Sequence, residues 1–157
     1  MQLYFLRHGQ ADWPDWDPAQ DEQRPLTEAG LAKMKAEAKA IRRLELGITI
    51  VLTSPLIRAR QTAESVAARL EVQPVEEPLL APGFNAKRLS EILRRYPDVA
   101  ELMLVGHEPD FSRTIAQIIG GGRIAMKKGG LARVDLETND PPRGDLVWLL
   151  TPKVLTA

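Results

Sequence analysis

The chain has 157 residues, no cysteine, and 21 Lys and Arg residues against 21 Asp and Glu. Balanced charge leaves no basic excess to displace counterions from a nucleic-acid backbone, and the lack of thiols excludes a disulfide framework, thiolate catalysis and Cys-ligated zinc or iron–sulfur centres. At 44% hydrophobic and 27% charged residues, the composition is that of an ordinary globular domain, long enough to bury a core without staples.

Leu3 to Leu6 is a short apolar run cut off by Arg7-His8-Gly9, the pattern of a buried strand entering a turn. The run is too short for a signal-peptide core and has no basic leader, and no later run approaches the ~18 apolar residues of a membrane helix. A cytoplasmic protein is expected. Asp12 to Pro25 holds three prolines, two tryptophans and five acidic residues without periodicity, so it reads as a surface loop beside the first strand. Its Asp12, Asp15, Asp17, Asp21 and Glu22 are expected to repel free anions and to favour a basic partner surface.

Glu28 to Leu46 has helical apolar spacing at Leu31, Met34, Ala38 and Ile41, with Thr27 as N-cap and Gly47 as the stop. Ile48 to Leu52 reads as a second strand, Arg58 to Leu70 and Lys87 to Tyr96 as helices, and Leu102 to Val105 as a third strand. Phe111 to Ile119 is a helix stopped by Gly120-Gly121-Gly122. Ala132 to Leu136 and Leu146 to Leu150 read as strands separated by the turn-rich TNDPPRGD. The first three strands are continuously apolar, as strands covered on both faces are. Strands alternating with helices predict a single α/β domain over residues 1–157, a three-layer α/β/α sandwich with a mostly parallel central sheet.

The two histidines both follow predicted strands, His8 in LRHG and His107 in LVGHEP. Ligands gather at the carboxyl ends of parallel strands, so the two loops are expected to share a crevice. Arg7 precedes His8, and Ser54-Pro55-Leu56-Ile57-Arg58 sets a second arginine in the first turn of a helix, where free amides add positive potential. Two guanidinium groups, two imidazoles and a helix N-terminus suit a dianionic tetrahedral group. The sequence carries no HExxH, no P-loop GK[ST] and no GxSxG elbow. Gly129-Gly130 reads as a turn entering a strand.

Four ordered blocks, LRHGQA (6–11), RPLTEAG (24–30), TSPLIRARQTAE (53–64) and LVGHEPD (104–110), span most of the chain. With them it resembles the histidine phosphatase superfamily, the phosphoglycerate mutase-like or RHG family, and within it the small bacterial phosphohistidine phosphatases of the SixA type. The resemblance implies a phosphoglycerate mutase-like fold and a covalent mechanism. His8 matches the nucleophile that takes the phosphoryl group, and Arg7, Arg58 and His107 match the residues around its oxygens. Gly9 would let the chain turn sharply behind His8 at the substrate site. A protonated His107 and the two arginines would stabilise the charge that develops on the equatorial oxygens. No metal or cofactor is implied.

The general acid that relatives acting on phosphate esters use has no firm match. Glu77 and Glu108 are the candidates, and each also reads as an exposed loop acid. Imidazole leaves more readily than an alkoxide, so a protein phosphohistidine is the expected substrate. A small-molecule phosphomonoesterase of the same superfamily and a non-catalytic phosphohistidine-binding module are the alternatives. Nucleic-acid and membrane partners are not expected.

Overall fold

Apolar side chains project from both sides of the first strand, and each side meets its own layer of helices. In the computed structural model, which describes residues 1–157, β1 (Gln2–Arg7) buries Leu3 and Phe5 in one core and Tyr4 and Leu6 in the other. The sheet continues with β2 (Ile50–Thr53), β3 (Pro74–Glu76), β4 (Glu101–Gly106), β5 (Leu131–Asn139) and β6 (Pro142–Leu150). Its order is β3-β2-β4-β1-β5-β6. The first four strands in that order are parallel, while β5 runs antiparallel to β1 and β6 antiparallel to β5.

α1 (Glu28–Arg43) and α2 (Ile57–Leu70) cover the face that carries Tyr4, Leu6, Val51 and Met103. α3 (Ala86–Leu93) and α4 (Asp110–Ile118) cover the opposite face through Leu89, Ile92, Phe111 and Ile115. The molecule is the expected three-layer α/β/α sandwich with a mostly parallel sheet. No helix is long and apolar enough to cross a membrane.

Thr27 caps α1 by accepting from the Gly30 N–H at 2.9 Å. The helix nevertheless stops at Arg43, short of the expected Leu46, because Glu45 takes a left-handed φ of 52°. That reversal returns Leu46 and Ile48 to the core beneath α1. α3 likewise stops at Leu93 rather than Tyr96. The expected turn TNDPPRGD is mostly strand, since β5 and β6 pair as far as Asn139 opposite Pro142. Pro142 is tolerated as the first residue of an edge strand. β3 and the short α5 (Pro152–Leu155) were not expected: each is too short to show a hydrophobic period.

Candidate active site

The carboxyl ends of β1, β2, β3 and β4 lie side by side, and the residue after each is polar: His8, Ser54, Glu77 and His107. Backbone pairing runs one step past the strands, with His8 N–H donating to Gly106 O (3.0 Å), Ser54 N–H to Val105 O (3.0 Å) and Glu77 N–H to Thr53 O (2.8 Å). All four side chains are buried. The sheet therefore fixes them as firmly as its own core.

His8 Nδ1 lies 2.7 Å from the carbonyl oxygen of Gly9. A carbonyl can only accept, so Nδ1 carries the ring proton and Nε2 keeps its lone pair. Burial pushes the His8 pKa down to about 3; the Gly9 hydrogen bond opposes the shift, and His107, Arg58 and Arg7 add to it. The His107 ring sits 5.3 Å away, centroid to centroid. Its Nε2 is 2.7 Å from Ser54 Oγ, which already accepts from the Leu56 N–H at 3.3 Å. The Ser54 hydroxyl proton has no other acceptor, so Oγ donates to His107 Nε2, which puts the ring proton on Nδ1. Burial, with Arg58 second, lowers the His107 pKa to about 4. Without a bound anion this burial favours the neutral ring of His107.

Both arginines are anchored from behind. Arg7 Nη1 donates to Met126 O at 2.8 Å. Arg58 Nη1 donates to Asp21 O (2.8 Å), and its Nη2 pairs with Asp21 Oδ2 (3.0 Å). Four buried side-chain polar atoms in the whole chain lack a hydrogen-bond partner: Arg7 Nε, Arg58 Nε, His107 Nδ1 and Glu37 Oε2. Orphaned buried donors are costly and rare. Three of the four belong to residues lining one cavity of about 310 Å³, with His8 on its wall. A cavity of that size with Arg7, Arg58, His8 and His107 on its wall suits an anion with several acceptor oxygens.

The carboxylates on that wall are all engaged. Asp12 pairs with Lys128, Glu108 accepts from the N–H and hydroxyl of Ser112, and Asp110 accepts from the Gly83 N–H. Glu77 is not an exposed acid as expected but buried at 3% exposure. It accepts from the Leu79 N–H at 3.0 Å and pairs with Arg95 at 2.9 Å, which gives it a structural place outside the cavity lining. No three His, Asp or Glu side chains gather as a metal site would require.

Gly9 also departs from expectation. Its φ is not among the left-handed ones; a Cβ there would instead lie 2.7 Å from Met34 Cγ. Its N–H donates to Thr62 Oγ1 at 3.0 Å, and it is absent from the cavity wall, so it offers the substrate no donor. The 12–25 loop contains a 3-10 stretch, Pro18–Gln23, that turns Asp21 inward onto Arg58 and Arg24. With Asp12 bound to Lys128, two of the loop's five acids are paired, while Asp15, Asp17 and Glu22 take part in no ion pair.

Sequence reasoning missed Arg24 and Lys128 on the cavity wall, and the supports Ser54, Asp21 and Thr62. Ser54 and Thr62 do have a signal, since Ser54 follows a strand and Thr62 lies one turn after Arg58 on the same helix face. Lys128 has none, being 116 residues from its partner Asp12.

The family model for the histidine phosphatase superfamily (branch 1) matches residues 3–110. The chain belongs to that superfamily. It is 39% identical to an uncharacterized protein of Picosynechococcus sp., with 99% of each chain covered. It is 29% identical to the phosphohistidine phosphatase SixA of Escherichia coli, over 97% of this chain and 94% of the relative. A solved structure of the protein histidine phosphatase SixA complexed with tungstate superposes with a TM-score of 0.84 at 28% identity, over 98% of both chains. The protein is thus a SixA-like member of a hydrolase superfamily.

Proposed function

We propose that the protein is a phosphohistidine phosphatase, acting on phosphorylated histidine presented by a protein in the cytoplasm. The observation that carries the reading is the His8 tautomer: Nδ1 is bound to the Gly9 carbonyl, so the unprotonated Nε2 remains as nucleophile in an anion-shaped cavity. Tungstate, which the structural relative binds, is itself a tetrahedral dianion and supports the same kind of ligand here.

In the first step the Nε2 lone pair of His8 forms a bond to phosphorus while the P–N bond of the substrate breaks, and the departing imidazole leaves neutral, its other ring nitrogen having taken a proton from solvent. In the second step water attacks the phosphorylated His8, the P–Nε2 bond breaks, the water's proton passes to solvent, His8 returns to its neutral Nδ1–H form, and inorganic phosphate leaves. Arg7, Arg58 and the Nδ1–H of His107 receive the equatorial oxygens, on which charge builds in each transition state. Because the wall offers no uncommitted carboxylic acid, a leaving group that needs little protonation is favoured over an alkoxide.

The test compares kcat/KM on a phosphohistidine-bearing protein domain with that on aryl phosphate, phosphoglycerate and sugar phosphates in one buffer. The phosphohistidine domain should be preferred. His8→Ala should lose turnover while remaining folded, and wild-type enzyme quenched in alkaline detergent should carry label that is stable to base and lost on later exposure to acid. Higher efficiency on any small ester would replace this reading with that of a small-molecule phosphomonoesterase, and full activity of His8→Ala would remove the covalent mechanism.

A further inference from the structure

The fourth orphaned polar atom, Glu37 Oε2, belongs to a second cavity. This cavity, of about 810 Å³, opens between α1, residues 127–128 and α5, and it shares Arg7, Asp12 and Lys128 with the smaller one. The Asp12–Lys128 ion pair therefore stands in the wall common to both. Lys33, Lys127 and Lys153 also line it, and none of these three takes part in an ion pair. Only Lys33 has a side-chain partner, the neutral Gln10 amide oxygen at 3.3 Å.

The two acids on this wall do little to offset that charge. Asp12 is matched by Lys128. Glu37 is 3% exposed, and burial raises its pKa to about 8 against the opposing pull of Lys33, so near neutral pH it is largely an uncharged carboxylic acid. Three uncompensated ammonium groups remain around a cavity that adjoins the candidate active site.

We propose that this cavity binds acidic side chains flanking the phosphohistidine of a protein substrate. The phosphohistidine part of this statement rests on the function proposed above. The choice of an acidic peptide segment over a lone oxyanion follows from size and chemistry. At about 810 Å³ against about 310 Å³, the cavity is far larger than one phosphoryl group needs. Lysines bring mobile point charges that follow carboxylates in varied positions, whereas arginine forks suit one fixed oxyanion geometry. Ala36 and Pro152 on the same wall supply apolar contact for the methylene groups of glutamate side chains. Of the loop's acids only Asp12 lines this cavity, and it is paired with Lys128.

The experiment uses the full chain and a triple variant, Lys33→Glu, Lys127→Glu and Lys153→Glu, all at exposed positions, with thermal unfolding confirming that the variant folds. Calorimetry at low salt measures binding of an unphosphorylated peptide alternating Glu and Ala, and of its Gln–Ala counterpart. The acidic peptide should bind the wild type more tightly by roughly fivefold, as several exposed charge pairs together give. The preference should vanish in the variant and shrink with added salt. Equal binding of the two peptides, or an acidic preference retained by the variant, overturns the proposal. In parallel, kcat/KM is measured on phosphohistidine peptides with Glu or Gln flanks, with aryl phosphate as reference. If aryl phosphate is hydrolysed and neither peptide is, the phosphohistidine reading fails, while the calorimetry still decides whether the cavity takes acidic segments.

Discussion

His8 and His107 are the only histidines of the chain, so their titration can be followed without ambiguity. Each is held neutral chiefly by burial, with the arginines beside them adding to the effect. Their folded pKa values, about 3 and about 4, lie below the value of roughly 6.5 expected in the unfolded chain. Between those limits the unfolded state binds more protons, so the stability these residues contribute is present above about pH 6.5 and falls as the solution is acidified. A proton NMR titration of the free protein should show both imidazoles in the neutral form down to below pH 5. An inflection near 6.5 would mean that a ring is solvated as in a peptide, and the anion-free site would then already hold an imidazolium. The same neutrality keeps His8 nucleophilic in mildly acidic solution. Once corrected for the substrate's own phosphate ionisation near pH 6, kcat/KM should therefore lack an acid limb at 6.5.

Elements place these residues, and the segment from β1 to α1 shows how tightly. Gly9 N–H reaches Thr62 Oγ1 on α2, while its Cα lies against the fully buried Met34 of α1. Gly9→Ala should cost about 1–3 kcal/mol, the usual range for overpacking, and should disturb the carbonyl that orients His8. Met34→Ala alone should cost about 2–5 kcal/mol through the space it leaves. Because the second change makes room for the first, urea denaturation of the double variant should show a loss smaller than the sum by about 1 kcal/mol or more. Strict additivity would place the strain elsewhere. Elements of this kind were legible where periodicity was long or the apolar run continuous: Leu3 to Leu6, Leu102 to Val105, and the spaced Met34, Ala38 and Ile41. Elements that exist only through pairing were not. Pro74–Glu76 is a strand because β2 offers it a partner, and the ends of the β5–β6 hairpin are held by their ladder against the turn chemistry of Asn139, Asp140 and Pro141.

At the scale of the whole molecule, the site was readable as far as it sits at strand ends, and unreadable where distant chain segments complete it. His8, Arg7, Arg58 and His107 announce themselves by position after β1, at the start of α2 and after β4. Lys128 and Glu37 do not, since their surroundings are made by residues 126–130 folding back over the end of β1. Gly129 is the pivot of that fold-back. At φ 75° it donates its N–H toward the carbonyls of Arg7 and His8, and its Cα rests on the Glu37 carboxyl.

That contact has a global consequence. Glu37 is raised to about 8 by burial, with Lys33 opposing, whereas in the unfolded chain it titrates near 4.5. Between about pH 4.5 and pH 8 the folded state holds one proton more than the unfolded state, so stability is greatest below this window and declines as pH rises through it. At about 1.4 kcal/mol per pH unit, the burden near pH 7 is on the order of 3 kcal/mol. Glu37→Gln keeps the shape of the protonated acid and does not titrate. The variant should therefore match the wild type near pH 4.5 and exceed it increasingly toward pH 8, with Tm higher by several degrees at neutral pH, since each kcal/mol moves Tm by roughly 2–4 °C in a chain of this size. Thermal unfolding of both proteins from pH 4.5 to 8.5 checks this directly. Curves that stay parallel across the range would show that Glu37 is ionised in the folded protein, and the carboxylate would then offset one of the lysines of the second cavity.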